Sequence, residues 1–120
     1  MRNVTLWFLT IVSAGMLLLA GSMKLAGAQM QVDLFATLGI GQWFRYVTGL
    51  LEVDGAAGLF VPALAIYAAL LLATVMVGAI ATHLLIIGGN PLVPILLLGA
   101  TLTIAWLRRE RISSLRPVAV

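Results

Sequence analysis

Between Asp54 and Arg108 the sequence contains no lysine, arginine, aspartate or glutamate, and the single histidine of the chain, His83, lies inside this stretch. A water-soluble domain carries charged side chains over its whole surface, because these groups keep it hydrated and dispersed. One crossing of a bilayer takes about 20 apolar residues, so the stretch is long enough for about two crossings. The chain is therefore predicted to be an integral membrane protein.

The distribution of charge supports the same conclusion. Only 9% of the residues are charged and 62% are hydrophobic, whereas globular domains carry about 25% charged residues. The net charge of +3 does not indicate nucleic-acid binding, because most of the basic residues follow the last apolar segment. A basic cluster there is typical of a cytoplasmic anchor that contacts anionic lipid headgroups. The cluster consists of Arg108, Arg109, Arg111 and Arg116.

The absence of cysteine and the presence of a single histidine limit the redox and metal chemistry of this chain. It has no cysteine, which excludes disulfides, thiol nucleophiles and cysteine-ligated metal centres within the chain. One histidine and scattered carboxylates lack the spacing of a zinc site, so no metal is expected.

Hydrophobic periodicity and chain-breaking residues predict an all-α fold, a four-transmembrane-helix bundle in a single membrane domain of residues 1–120. Pro62 ends the second helix, and the Gly88–Pro91 segment forms the turn before the fourth. The helices are predicted at 4–26, 43–61, 64–87 and 91–107, followed by a basic tail at 108–120.

Four crossings place both termini on one side of the membrane. The basic tail makes that side the cytoplasm, in a plasma membrane of the bacterial type. The uncharged stretch from Val4 to Met23 exceeds the core of a signal peptide, so the first helix is predicted to be retained. The loop at 27–42 then faces the exterior, and part of it is predicted to form a short helix on the membrane surface.

Four polar residues are the candidates for function. Arg45 and Glu52 lie seven residues apart and therefore share one face of the second helix. The third helix should run antiparallel to the second, which brings His83 to a depth near that of Lys24 and Arg45. Glu52 is then expected near the middle of the membrane, at the bottom of an outward-opening polar cavity.

A carboxylate in hydrocarbon favours its neutral form unless a basic neighbour or water stabilises the charge. The sequence leaves two roles open for Glu52: a structural ion pair that locks the bundle, or a site for a ligand, a proton or a substrate. Asp54 points about 200° away from Glu52 at 100° per residue, so the two acids do not form a pair. Asp54, Trp43, Tyr46 and Thr82 are secondary candidates.

Four segments carry a family resemblance: Gly21–Leu25, Trp43–Tyr46, Gly49–Gly58 and Ala79–His83. Over roughly residues 10–107 the chain resembles the DoxX-like family of small four-helix membrane proteins. The resemblance implies that Lys24, Glu52 and His83 form the functional set. It also implies links to thiosulfate or quinone oxidation or to redox-stress complexes, and a distant relative, the assembly factor NACHO, is a membrane-protein chaperone.

Three functions follow from these expectations. The first is a non-enzymatic protein that binds a small lipophilic ligand or a membrane-protein partner through the cavity around Glu52. The second is a subunit of a quinone-linked oxidoreductase, in which Glu52 or His83 carries protons and quinone is the cofactor. The third is an assembly factor, or a homodimer, that packs through faces of small residues. Those faces comprise Gly49, Gly55 and Gly58 on the second helix, and Gly78, Ala79 and Thr82 on the third.

Overall fold

Five α-helices and one π-helical segment make up the computed structural model, which describes residues 2–109. The prediction of an all-α fold is confirmed for this part of the chain. The helices are α1 (Arg2–Ala26), α2 (Gln29–Leu38), α3 (Gln42–Gly58), α4 (Ala65–Thr82) and α5 (Leu92–Leu107), and the π segment (His83–Ile87) continues α4.

The four longer helices form a closed ring of contacts. α1 packs against α3 and α5, and α4 packs against the same two helices. The centre of this bundle contains fully buried leucine and isoleucine side chains, among them Leu17, Leu72 and Ile104. α2 lies at one end of the bundle, where it contacts α3, the π segment and α1.

The start of α1 and the end of α5 lie at the same end of the bundle. The guanidinium carbon of Arg108 is 5.6 Å from the centre of the Trp7 ring. Phe60, just after α3, stacks on Trp7, and the two ring centres are 6.5 Å apart. Of the predicted basic tail, only Arg108 and Arg109 belong to the described residues, and Arg111 and Arg116 lie outside them.

The segment at 27–42 is not the loop that the sequence predicts, because most of it forms α2. Gln31 and Phe35, one turn apart on this helix, are both buried. α2 ends at Gly39, whose φ of +73° is the left-handed conformation that glycine adopts without strain. The short helix predicted within this segment is α2, and its place on a membrane surface stays a prediction.

Two other helix boundaries differ from the prediction. α3 ends at Gly58 rather than at residue 61, because the chain tightens into turns in which Phe60 and Val61 bond the carbonyls three residues back. Pro62, which has no backbone N–H, prevents a return to the helix. The second boundary is the C-terminal end of α4, which passes into the π segment. There the Gly88 N–H donates to the His83 carbonyl at 2.7 Å. That bond spans five residues instead of four.

Two segments of the described chain are long and apolar enough to cross a bilayer, Asn3–Ala26 and Ala65–Ile86. α3, with 17 residues, and α5, with 16, are shorter. Helix length and composition therefore single out two crossings, and the four that the sequence predicts remain a proposal.

Candidate functional site

α1 and α3 cross at two glycines. A Cβ on Gly21 would lie 2.7 Å from Val53 Cγ2 and 2.9 Å from the Gly49 carbonyl oxygen. A Cβ on Gly49 would lie 3.0 Å from Lys24 Cβ and 3.1 Å from the Gly21 carbonyl oxygen. Because neither position has room for a side chain, the two backbones are in direct contact, as small residues permit at helix crossings.

Lys24 and Glu52 form an ion pair beside this crossing. Lys24 Nζ lies 2.8 Å from Glu52 Oε1, and the side chains are 13% and 3% exposed. Glu52 Oε1 is fully buried, and no described residue makes a well-aligned hydrogen bond to it. The contact is therefore an electrostatic pairing in which the carboxylate retains unused capacity to accept hydrogen bonds.

Arg45 is buried against the end of α1. Its Nη1 donates a hydrogen bond to the backbone carbonyl of Lys24, and its guanidinium carbon lies 4.3 Å from the centre of the Tyr46 ring. Gly27 (φ +77°) ends α1 in a Schellman turn, in which the Ala28 N–H donates to the Met23 carbonyl. A cation at this position also stabilises the negative end of the helix dipole.

Arg45 is 5% exposed and uses its donors to hold the end of α1 and to bond Gln42. The structure brings Lys24, Arg45 and Glu52 together: Lys24 contacts Arg45 through its backbone and Glu52 through its side chain.

Gln42 belongs to this cluster, and sequence reasoning missed it by assigning it to a loop. Its Oε1 accepts a hydrogen bond from Arg45 Nε at 2.8 Å, and its Nε2 donates to the Val32 carbonyl at 3.0 Å. Gln42 thereby links α2 to Arg45. Its spacing of three residues from Arg45, which places both on one helix face, is the signal that identifies it.

His83 lies apart from the ion pair. Its Nδ1 is 2.8 Å from the Ala79 carbonyl oxygen, so this nitrogen carries the proton, since a carbonyl only accepts. Thr82 donates in the same way to the Gly78 carbonyl. Within residues 2–109, His83 has no hydrogen bond or ion pair to Lys24, Arg45 or Glu52. It is instead the first residue of the π segment, a distortion often found at functional sites.

The secondary candidates face outward. Asp54 is exposed and has no hydrogen bond or ion pair among the described residues, as expected for an acid on the side of α3 away from Glu52. Trp43 is exposed and donates to the Ile40 carbonyl at 3.1 Å. Tyr46 is half exposed and lies under the Arg45 guanidinium.

Glu52 lies near the middle of α3, ten residues after Gln42 and six before Gly58. Its Cβ lies 3.1 Å from where a Cβ on Gly21 would be, and Gly21 is five residues before the end of α1 at Ala26. The depth of Glu52 in a membrane stays a prediction.

One groove on the bundle is apolar and lies away from the Lys24–Glu52 pair. It has a volume of about 390 Å³ and is lined by Val77, Ile80, Ala81, Leu84, Leu85 and Leu98. None of the polar candidates lines it, and the Lys24–Glu52 pair is closely packed. A polar cavity around Glu52 therefore stays a proposal.

One of the small-residue faces suggested for client helices is occupied inside the bundle. Gly49 contacts α1, Gly55 lies against Leu72, and Gly58 lies against Ala68. These glycines provide close contacts between α3 and its neighbours, so that face is not available to a partner. On α4, Gly78 is exposed and has no atom within 4 Å of an added Cβ.

One of three comparisons with known proteins gives a match. No curated protein and no solved structure matches the chain. Residues 8–108 match the DoxX-like family, and the match includes the helix crossing, the Lys24–Glu52 pair, Arg45 and His83. The chain therefore belongs to the DoxX-like family.

Proposed function

We propose that this chain is a non-enzymatic integral membrane protein, which crosses the membrane four times and binds a small lipophilic ligand at the Lys24–Glu52 pair. The ligand is an amphiphile whose head donates hydrogen bonds and whose tail lies in the lipid. Both termini lie in the cytoplasm, and α2 lies on the opposite side.

The surface of the bundle supports the membrane location. In the apolar windows of the two long helices, only 28% and 22% of the residues are buried inside the protein. A core helix of a soluble protein is mostly buried, whereas here large apolar side chains such as Phe8, Leu19 and Leu85 are exposed. Contiguous apolar surface of this kind is stable in contact with lipid.

The observation that carries the ligand proposal is the incomplete coordination of Glu52. An ionised carboxylate has about four acceptor positions on its two oxygens, and one lysine faces it without an aligned hydrogen bond. Buried charges are stable only when their remaining lone pairs are also satisfied. A hydroxyl- or amine-bearing head group provides the missing donors.

Quinols are one class of molecule with this chemistry, since each carries two hydroxyls on a ring attached to an apolar tail. The quinone-linked alternative is thus a narrower form of the same proposal. It requires proton transfer to Glu52 as well as binding, and electron transfer to a partner chain.

The experiment uses the purified full chain in lipid nanodiscs, with decyl-ubiquinol and its dimethyl ether as probes. Because a ligand stabilises the state that binds it, the quinol should raise the thermal unfolding temperature, and the ether, which has no donor, should not. The test variant is the double substitution Lys24→Met with Glu52→Met. It keeps the side-chain volume and removes both charges, so the bundle should still fold.

Asp54→Asn is the matched control, because it removes a carboxylate from the other side of the same helix. It should respond to the quinol as the parent chain does. If the double variant folds and is stabilised by the quinol as strongly as the parent chain, the ion pair is structural only and the proposal is wrong. The same conclusion follows if the quinol and the ether have equal effects.

A further inference from the structure

The outward side of α3 is an apolar strip with one charge on it. Val47, Leu50 and Leu51 are exposed. Asp54 lies among them, at the i, i+3, i+4 spacing that defines one helix face. α3 packs against α1 and α4 through other residues, including Gly49, Gly55 and Gly58. No described part of the chain covers this side.

Asp54 lies deeper in the bundle than the layer of residues that we take as the membrane boundary. Trp7 contacts both Phe60 and Arg108 in a layer at the tail end of the bundle, and tryptophan and arginine are typical of the lipid–water interface. Phe60 follows the end of α3 at Gly58, and Asp54 is four residues before that end, so Asp54 is about 6 Å deeper along the helix. A lone carboxylate that faces acyl chains at this depth is unfavourable and is normally paired.

The pairing group does not come from a second copy through the same face. A two-fold axis beside α3 would bring the two Asp54 carboxylates together, and like charges repel. The cations that the chain holds near α3 are already engaged, since Lys24 is paired with Glu52 and Arg45 holds the end of α1.

We propose that the outward face of α3, comprising Val47, Leu50, Leu51 and Asp54, docks a transmembrane helix of another protein whose lysine or arginine pairs with Asp54. The apolar residues of this face pack against that helix, and the ion pair fixes its depth and register. The inference rests on the proposed membrane location but not on the proposed ligand.

The experiment reconstitutes the full chain in phosphatidylcholine vesicles, with a donor dye on one introduced cysteine, Ala36→Cys. Three synthetic leucine–alanine helices carry the acceptor dye. The three helices differ at one position, which is set at the depth of Asp54. This position holds lysine in one helix, leucine in the second and glutamate in the third. A polar contact between helices in lipid changes affinity about three- to thirty-fold. The lysine helix should therefore half-saturate energy transfer at a peptide-to-lipid ratio lower than the leucine helix by that factor.

Two variants make the result specific. Asp54→Asn should abolish the advantage of the lysine helix, whereas Asp33→Asn, which removes an exposed acid on α2, should preserve it. Flotation of the vesicles confirms insertion of every variant, so a failure of the membrane assignment is recognised separately. The proposal is overturned if the lysine and leucine helices bind equally, or if the difference persists in Asp54→Asn.

Discussion

The backbone carbonyl of Lys24 accepts a hydrogen bond from Arg45, while the ammonium of the same lysine faces Glu52, two turns after Arg45 on α3. One residue of α1 is thus held at two points by a single face of α3. The Gly21–Gly49 contact makes this possible, because it brings the two helix axes close enough for both interactions.

Replacing Arg45 should destabilise the bundle by removing the interaction that holds the end of α1. For Arg45→Ala we expect a loss of about 2 to 4 kcal/mol in the free energy of unfolding, from a charged hydrogen bond and the helix-dipole interaction. Arg45→Lys should show a smaller loss, since a lysine ammonium does not reproduce the guanidinium fork. Unfolding in detergent, followed by circular dichroism, measures both. Arg109→Ala, at an exposed arginine over Trp106, should change stability by less than about 0.5 kcal/mol.

A larger residue at Gly21 should separate α1 from α3. Gly21→Ala places a methyl group within 2.7 Å of Val53 Cγ2 and 2.9 Å of the Gly49 carbonyl. Overpacking of this kind costs about 1 to 3 kcal/mol. Gly15→Ala in the same helix is the control, because no atom lies within 4 Å of the new Cβ. It should stabilise α1 by about 0.5 to 1 kcal/mol. Equal effects of the two substitutions on the unfolding temperature would contradict the close crossing.

The ion pair should show strong coupling in a double-mutant cycle. Lys24→Met or Glu52→Met alone leaves one buried charge without its partner, and each should lower the free energy of unfolding by about 3 to 5 kcal/mol. The double variant should lose much less than the sum, because no charge remains buried. Chemical denaturation of the four proteins in the same detergent gives the coupling. Additive losses would mean that the two charges do not interact.

Gln42 should control the attachment of α2 to the bundle. Gln42→Leu removes the donor to the Val32 carbonyl and the acceptor for Arg45. The amides of α2 should therefore exchange with deuterium faster, since local opening needs less free energy. Gln42→Glu retains the acceptor for Arg45 and should have an intermediate effect. Gln29→Leu, which removes a bond to the exposed Asp33, should leave exchange in the rest of α2 unchanged.

The proposed topology can be tested with single cysteines, because the chain contains none. With four crossings, Gln29→Cys in α2 and Ser113→Cys in the tail lie on opposite sides of the membrane. An impermeant maleimide added to intact cells should label Gln29→Cys, and should label Ser113→Cys only after the membrane is opened. Labelling of both sites from the same side would reject four crossings.

The sequence by itself determined the helical class, the family and the apolar surface. A stretch without charges between Asp54 and Arg108 has few alternatives to helices in contact with lipid, because backbone groups in a bilayer must bond within their own segment. It also determined that Arg45 and Glu52 share a face and that Asp54 does not, since helix periodicity alone fixes those angles.

Only the tertiary structure decided how these residues are used. The sequence left open whether Glu52 has an ion-pair partner, and the contact of Gly21 with Gly49 brings Lys24 and Glu52 together as an ion pair. It assigned Gln42 to a loop, but Gln42 begins α3, where it accepts from Arg45 and donates across to the Val32 carbonyl of α2. The separation of His83 from Glu52 and the exposure of Asp54 also depend on which helix faces meet. That choice follows from side-chain packing between segments distant in sequence, which local patterns do not encode.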